Sequence, residues 1–127
     1  MSKDFIFNKI KSAKKILILP SQPADLDCLC SAISMLWYVK EHAGNTEVKV
    51  YSFFQIPDKL MLFDEFKVIE QKYLAAIDLN VYDLIIGVDG NGYDRYLTNS
   101  YQKLITHSST SHNHHFIIAI KNYFSFN

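Results

Sequence analysis

Two aspartates separated by a single residue, Asp25 and Asp27, are the side chains of this sequence best placed for chemistry. They follow an apolar run at residues 15–19 and a turn marked by Pro20 and Pro23, and a long apolar helix pattern begins directly after them. In a parallel sheet this position is the loop that leaves the carboxyl end of a strand, where open α/β sheets bind ligands. Two carboxylates this close repel each other unless a proton or a cation lies between them, so the spacing suggests a metal site.

A third acid, Asp89, ends the most strongly predicted strand, residues 82–89. Three carboxylates from two strand ends could converge at the carboxyl edge of the sheet. Such hard oxygen ligands suit Mg²⁺ or Mn²⁺, and a two-metal version would serve phosphoester hydrolysis. The structural alternative is that Asp27 is simply the N-cap of the following helix, since aspartate is common at that position.

The elements that must position these acids alternate between strands and helices, which predicts a doubly wound α/β fold with about four or five mostly parallel strands flanked by helices. The near-continuous apolar run before Asp89 indicates a strand buried on both faces. Strands are predicted at residues 15–19, 47–53, 67–70, 82–89 and 116–120, the second of them at an edge, and helices at residues 5–13, 28–42 and 59–66. Residues 93–105 are predicted to be weakly helical, and the polar residues 106–115 are predicted to form a loop. A length of 127 residues predicts a single domain.

Composition narrows the class of protein. Apolar residues make up 49% and charged residues 20%, and the formal net charge is zero, so no global field attracts nucleic acid or an anionic membrane. The sequence lacks both a signal peptide and an apolar run of the ~20 residues that a membrane span needs, which predicts a cytoplasmic protein with no membrane partner. Cys28 and Cys30 should point to different faces of one helix and pack there, without a disulfide. Trp37 and Tyr38 are predicted to pack beside the core rather than to stack a base.

The order of these motifs resembles the amino-terminal half of the DHH family of phosphoesterases. The resemblance covers roughly residues 5–100, and it rests on an apolar strand, the pattern P-x-D-x-D-x-x-x-S entering a Leu/Ala-rich helix, and the segment YDLIIGVDG. That family includes oligoribonucleases, phosphoadenosine-phosphate phosphatases, RecJ-type exonucleases and cyclic-dinucleotide phosphodiesterases. The resemblance implies that Asp25, Asp27 and Asp89 are metal ligands and that Ser31 matches the family's small hydroxyl residue.

The sequence also departs from the family pattern. Ser21 stands where the family has a histidine, and a neutral hydroxyl is a poor metal ligand. The name-giving Asp-His-His has two placements: Asn113-His114-His115, or Lys121-Asn122-Tyr123 after the last predicted strand. If residues 116–120 are that strand, five residues at ~3.3 Å put His114 and His115 about 16 Å from the carboxyl edge, which favours the second placement.

These features predict a truncated, degenerate DHH-like domain without the family's second, substrate-binding domain. Its chemistry would be Mn²⁺- or Mg²⁺-assisted hydrolysis of a nucleotide or short oligonucleotide phosphoester, weak or lost, and no catalytic acid or base can be named. One alternative is a non-catalytic interaction or oligomerisation module, and another is the front fragment of a split enzyme. Residues 116–120 are apolar and only seven residues follow them, so self-association or a partner chain is expected to cover that strand.

Overall fold

Five parallel strands form the sheet in the order β3-β2-β1-β4-β5 in the computed structural model, which describes residues 3–20, 25–44, 46–53, 55–73, 76–88 and 116–120. The strands are β1 (Lys15–Pro20), β2 (Glu47–Ser52), β3 (Glu70–Gln71), β4 (Leu84–Val88) and β5 (Phe116–Ile120). All four neighbouring pairs are parallel. The predicted α/β class with a parallel sheet is confirmed.

The second strand is not at an edge, contrary to the prediction. The short strand β3 pairs with it through Tyr51–Glu70 and Ser52–Gln71. Only these two pairs join β2 to β3. Most of β2 therefore has a strand on one side only, which agrees with its alternating, edge-like pattern. Its first four residues, 47–50, pair in register only with β1.

Two α-helices precede and follow β1: α1 (Lys3–Ser12) and α2 (Leu26–His42). Helix α2 ends as the sequence predicts, because Ala43 donates its backbone N–H to the Val39 carbonyl at 2.8 Å and Gly44 then takes a positive φ of 51°. The helix predicted at residues 59–66 is instead a pair of 3₁₀ helices, Asp58–Leu62 and Asp64–Val68, separated by an extended Phe63. A further short 3₁₀ helix, Leu79–Val81, leads into β4.

Core side chains lie on both faces of the sheet, as a doubly wound fold requires. Ile16 and Ile18 of β1 pack with residues of α1 and α2 on one face, while Leu17 and Leu19 pack with Ile85 on the other. This alternation within one strand explains why β1 and β4 are continuous apolar runs. The partners on the second face include Leu79 and Tyr82.

Asp83 links the start of β1 to the start of β4 through hydrogen bonds at the amino edge of the sheet. Its carboxylate accepts hydrogen bonds from the backbone N–H groups of Lys14 and Lys15 at 2.8 and 2.9 Å, and its own N–H donates to the Lys15 carbonyl at 3.1 Å. These bonds support the register that ends with Pro20 beside Val88 at the opposite edge.

Within the described part of the chain, none of the helices has the length and apolar character that crossing a bilayer demands.

Candidate functional site

The strand order reverses between β1 and β4, so the topological switch point of the sheet lies between these two strands. The chain moves outward from β1 to β2 and β3, and then returns past β1 to form β4 and β5. In open α/β sheets, ligands bind outside the carboxyl ends of the strands at such a switch point. Here the carboxyl ends are Pro20 and Val88, which pair directly. Asp25 begins the helix that follows the first strand, and Asp89 is the residue after Val88 in the sequence.

Asp25, not Asp27, is the N-cap of α2. Its backbone is extended, with φ −89° and ψ 176°, and its Oδ1 accepts the backbone N–H of Cys28 at 3.0 Å. The helix therefore begins at Leu26, two residues earlier than predicted, and the alternative that assigned the cap to Asp27 is wrong. Asp27 lies in the first turn with an exposed side chain. An N-cap residue has an extended backbone, and its side chain accepts a hydrogen bond from an otherwise unpaired backbone N–H in the first turn of the helix. Asp25 meets both conditions.

Capping and cation binding compete for the same carboxylate. The cap occupies one lone pair of Asp25 Oδ1, so a cation bound there would share this carboxylate with the Cys28 N–H. The partial positive charge at a helix N-terminus stabilises the carboxylates of Asp25 and Asp27 but opposes a cation placed close to it. A cation site at this position therefore needs further negative ligands.

No three metal-binding side chains converge among the residues for which the structure gives positions. Asp25 and Asp27 are described, whereas Asp89 and Ser21 lie outside the described residues. The convergence of Asp25, Asp27 and Asp89 on one cation thus stays a prediction.

The register of β5 bears on the two placements of the Asp-His-His motif. Phe116 pairs with Leu84 and Ile120 pairs with Val88, so β5 starts at the amino edge and ends at the carboxyl edge. His115 precedes Phe116 in the chain, and Lys121 follows Ile120. This direction supports the placement on Lys121-Asn122-Tyr123, although these residues, like His114 and His115, lie outside the described ones.

The two cysteines occupy different faces of α2, as predicted. Cys28 is buried and Cys30 is exposed, and both are free thiols. The prediction that both pack in the core holds for Cys28 alone. Partial burial raises the pKa of the Cys30 thiol, and the nearby negative charge of Asp27 raises it further.

We expect Asp27→Asn to lower the pKa of Cys30 and to speed its alkylation at mildly alkaline pH. The substitution removes the smaller of the two causes that disfavour the thiolate, so the thiolate fraction rises at any pH below the thiol pKa. The measurement is the rate of iodoacetamide modification against pH, with buried Cys28 protected. Glu41→Gln on the same helix removes the same charge and should leave the rate unchanged. A rate that Asp27→Asn does not alter would show that the carboxylate is too well screened to act on Cys30, and added salt should shrink a real difference.

Trp37 is exposed over 56% of its surface, so its predicted packing role is wrong. The inner face of α2 is taken by residues at helical spacing, and position 37 lies off that face. Tyr38 is partly buried against the core and tilts against His42, with ring centroids 4.4 Å apart.

A groove that sequence reasoning missed opens at the same edge of the sheet, beyond the ends of β2 and β3. It has a volume of about 480 Å³ and is lined by Ser52, Phe53, Gln55, Gln71, Lys72 and Tyr73. The sequence gives little signal for it, because these residues are ordinary polar and aromatic types that only the pairing of β2 with β3 brings together.

Comparison with known proteins yields a likeness of fold. No protein-family model matches the sequence, and no curated protein matches it either. Among solved structures, the fold is similar to that of an exopolyphosphatase-related protein from Bacteroides fragilis, with a TM-score of 0.69 and 17% sequence identity over 98% of this chain. The chain spans 37% of the length of that protein. At this level of identity the likeness shows the α/β fold alone.

Proposed function

We propose that this chain carries a phosphoesterase-type site of the DHH kind at the switch point of its sheet. In this proposal Asp25, Asp27 and Asp89 hold a Mn²⁺ or Mg²⁺ ion, and the substrate is a phosphoester of a nucleotide or short oligonucleotide. The observation that carries the proposal is the pairing of Pro20 with Val88, since Asp25 opens the helix after the first of these strands and Asp89 follows the second. The similar fold of a protein described as exopolyphosphatase-related is in keeping with this proposal.

The bound cation would polarise the phosphoester and lower the pKa of an attacking water. The residues of this chain would contribute the negative charge that holds the cation and, through the N-terminus of α2, a partial positive charge that favours an anionic substrate. In this proposal Ser21 stands where the family has a histidine ligand, and Lys121-Asn122-Tyr123, the favoured of the two placements, stands where the family has Asp-His-His. With two ligand positions changed and no general acid, we expect turnover to be slow or lost.

The decisive measurement is Mn²⁺-dependent hydrolysis of bis(p-nitrophenyl) phosphate. We expect a slow reaction that saturates with Mn²⁺ and disappears in Asp89→Asn, since that change removes a charged ligand of the cation. Asp58→Asn, which alters an exposed acid in the first turn of a 3₁₀ helix, should leave the rate unchanged. A rate that is independent of Mn²⁺, or that Asp89→Asn does not affect, would contradict the proposal. A rate as high as that of an intact family enzyme would contradict the loss of ligands.

A second candidate, a non-catalytic interaction module, is favoured by apolar side chains on the two 3₁₀ helices after β2. Leu62 is 81% exposed, and Phe63 and Val68 are also largely exposed. Exposed apolar side chains of this size are typical of interaction surfaces. A chain of this kind would show no Mn²⁺ dependence in the hydrolysis experiment, which separates the two functions.

A further inference from the structure

The groove beyond β2 and β3 lies on the carboxyl edge of the sheet but away from the switch point. Ser52 and Gln71 are the last residues of their strands, and Lys72 and Tyr73 follow directly. The groove volume of about 480 Å³ is within the range of small-molecule sites. Its position meets the first part of the rule for open α/β sheets, since it lies outside the carboxyl ends of parallel strands, but it is not at the switch point itself.

The walls of the groove combine an exposed aromatic ring with amide and hydroxyl groups. The Tyr73 side chain is 88% exposed, and its backbone carbonyl accepts the Ala76 N–H at 2.9 Å, which fixes the turn that carries it. Gln71 Oε1 accepts the Ile56 N–H at 3.1 Å, so the amide NH₂ is the donor end of that side chain. Ser52 is buried, with 1% exposure, and forms part of the lining. An aromatic face with amide groups beside it is the chemistry that binds a nucleobase.

The charge in the groove does not suit a chain of phosphates. Among the described lining residues Lys72 is the one cationic side chain, and its ammonium group lies 3.6 Å from a carboxylate oxygen of Glu70 and 5.7 Å from the centre of the Tyr51 ring. Because Glu70 partly neutralises this ammonium group, it attracts a second or third phosphate only weakly. A neutral nucleobase needs no positive charge in order to bind.

The distance to the switch point fits an elongated ligand. Adjacent strands lie about 4.8 Å apart, so β3 is roughly 10 Å from β1 and 14 Å from β4. A single phosphate ion cannot bridge that distance, but a nucleotide whose phosphoester lies at the switch point could place a neighbouring base in the groove.

We propose that the groove formed by Ser52, Gln55, Gln71 and Tyr73 is a nucleobase subsite, with Tyr73 as the stacking platform. The identity of the whole ligand, a nucleotide or short oligonucleotide, rests on the proposed function. The subsite itself requires neither a metal nor a phosphate, and it can be tested without them.

The experiment measures binding of adenosine to the full chain in the presence of EDTA, followed by NMR shifts of the tyrosine rings. We expect weak, saturable binding that shifts the Tyr73 ring. Tyr73→Ala should weaken it roughly fivefold or more, the lower end of what base stacking on an aromatic ring contributes, and Tyr73→Phe should retain it. Because Tyr73 is so exposed, its replacement does not threaten the fold. Trp37→Ala removes an exposed ring outside the groove and should have no effect.

Several results would overturn the assignment. One is the absence of adenosine binding up to its solubility limit, and another is binding of equal strength to Tyr73→Ala. A third is binding of tripolyphosphate, without adenosine, that is lost in Lys72→Ala, since this would make the groove an anion site. Because EDTA removes divalent cations, failure here is distinguishable from failure of the metal site, which the Mn²⁺ experiment tests independently.

Discussion

Asp25→Asn is expected to weaken Mn²⁺ binding by roughly tenfold or more while leaving the stability of the protein nearly unchanged, whereas Asp25→Ala should impair both. Asparagine caps helices about as well as aspartate, so the hydrogen bond to the Cys28 N–H survives in the first variant. Alanine removes it, at a cost of about 1 kcal/mol in the free energy of unfolding. Both variants remove a charged ligand, and we expect Mn²⁺ affinity to fall by roughly tenfold or more, since even the outer partners of metal ligands contribute that much.

Urea unfolding measures the stability of these variants, and water-proton relaxation enhancement measures their Mn²⁺ affinity. Asp78→Ala is a matched control, because Asp78 caps the 3₁₀ helix before β4 through the Asn80 N–H at 3.0 Å, on another element. It should lower stability without changing Mn²⁺ affinity. If Asp25→Asn bound Mn²⁺ as tightly as the unaltered chain, Asp25 would be a helix cap and nothing more.

Ile18→Ala should lower the free energy of unfolding by about 2–5 kcal/mol, the largest stability change that we expect of a single substitution here. Ile18 is fully buried in the centre of the sheet, paired with Val50 on one side and Ile86 on the other, and it belongs to the core cluster that joins β1 to α1 and α2. Removing its side chain leaves a cavity that strands fixed on both sides cannot collapse to fill. Since small domains are stable by about 5–15 kcal/mol, much of the total would be lost.

Leu62→Ala is the matched control for this substitution. It deletes a side chain of similar size at a position that is 81% exposed, so the change should stay within about 0.5 kcal/mol. Both variants are measured by urea unfolding with circular dichroism. A cost below about 1 kcal/mol for Ile18→Ala would mean that the centre of the sheet is loosely packed, and the pairing of Pro20 with Val88 would lose its structural basis.

Local patterns in the sequence were enough to place the strands that support the candidate site. The runs at residues 15–19 and 82–89 predicted β1 and β4 to within a few residues. A strand that is buried on both faces is a nearly continuous apolar run, which is easy to recognise in a sequence. The same reasoning failed at residues 59–66, where the extended Phe63 divides the predicted helix into two 3₁₀ segments. Helical spacing there matched three- and four-residue repeats equally well, so periodicity could not separate them.

By itself the sequence determined the α/β class, the free cysteines on separate faces of α2 and the positions of Asp25, Asp27 and Asp89 in the segments that follow two apolar strands. These features depend on neighbours in the chain, and short-range periodicity records them. Only the tertiary structure decided that β1 and β4 are adjacent, that β2 lies inside the sheet, and that Asp25 rather than Asp27 caps α2. It also formed the groove from the ends of β2 and β3, whose paired residues are 19 positions apart in the sequence. The physical reason is that strand order and groove shape arise from pairing between distant segments, which no local pattern encodes.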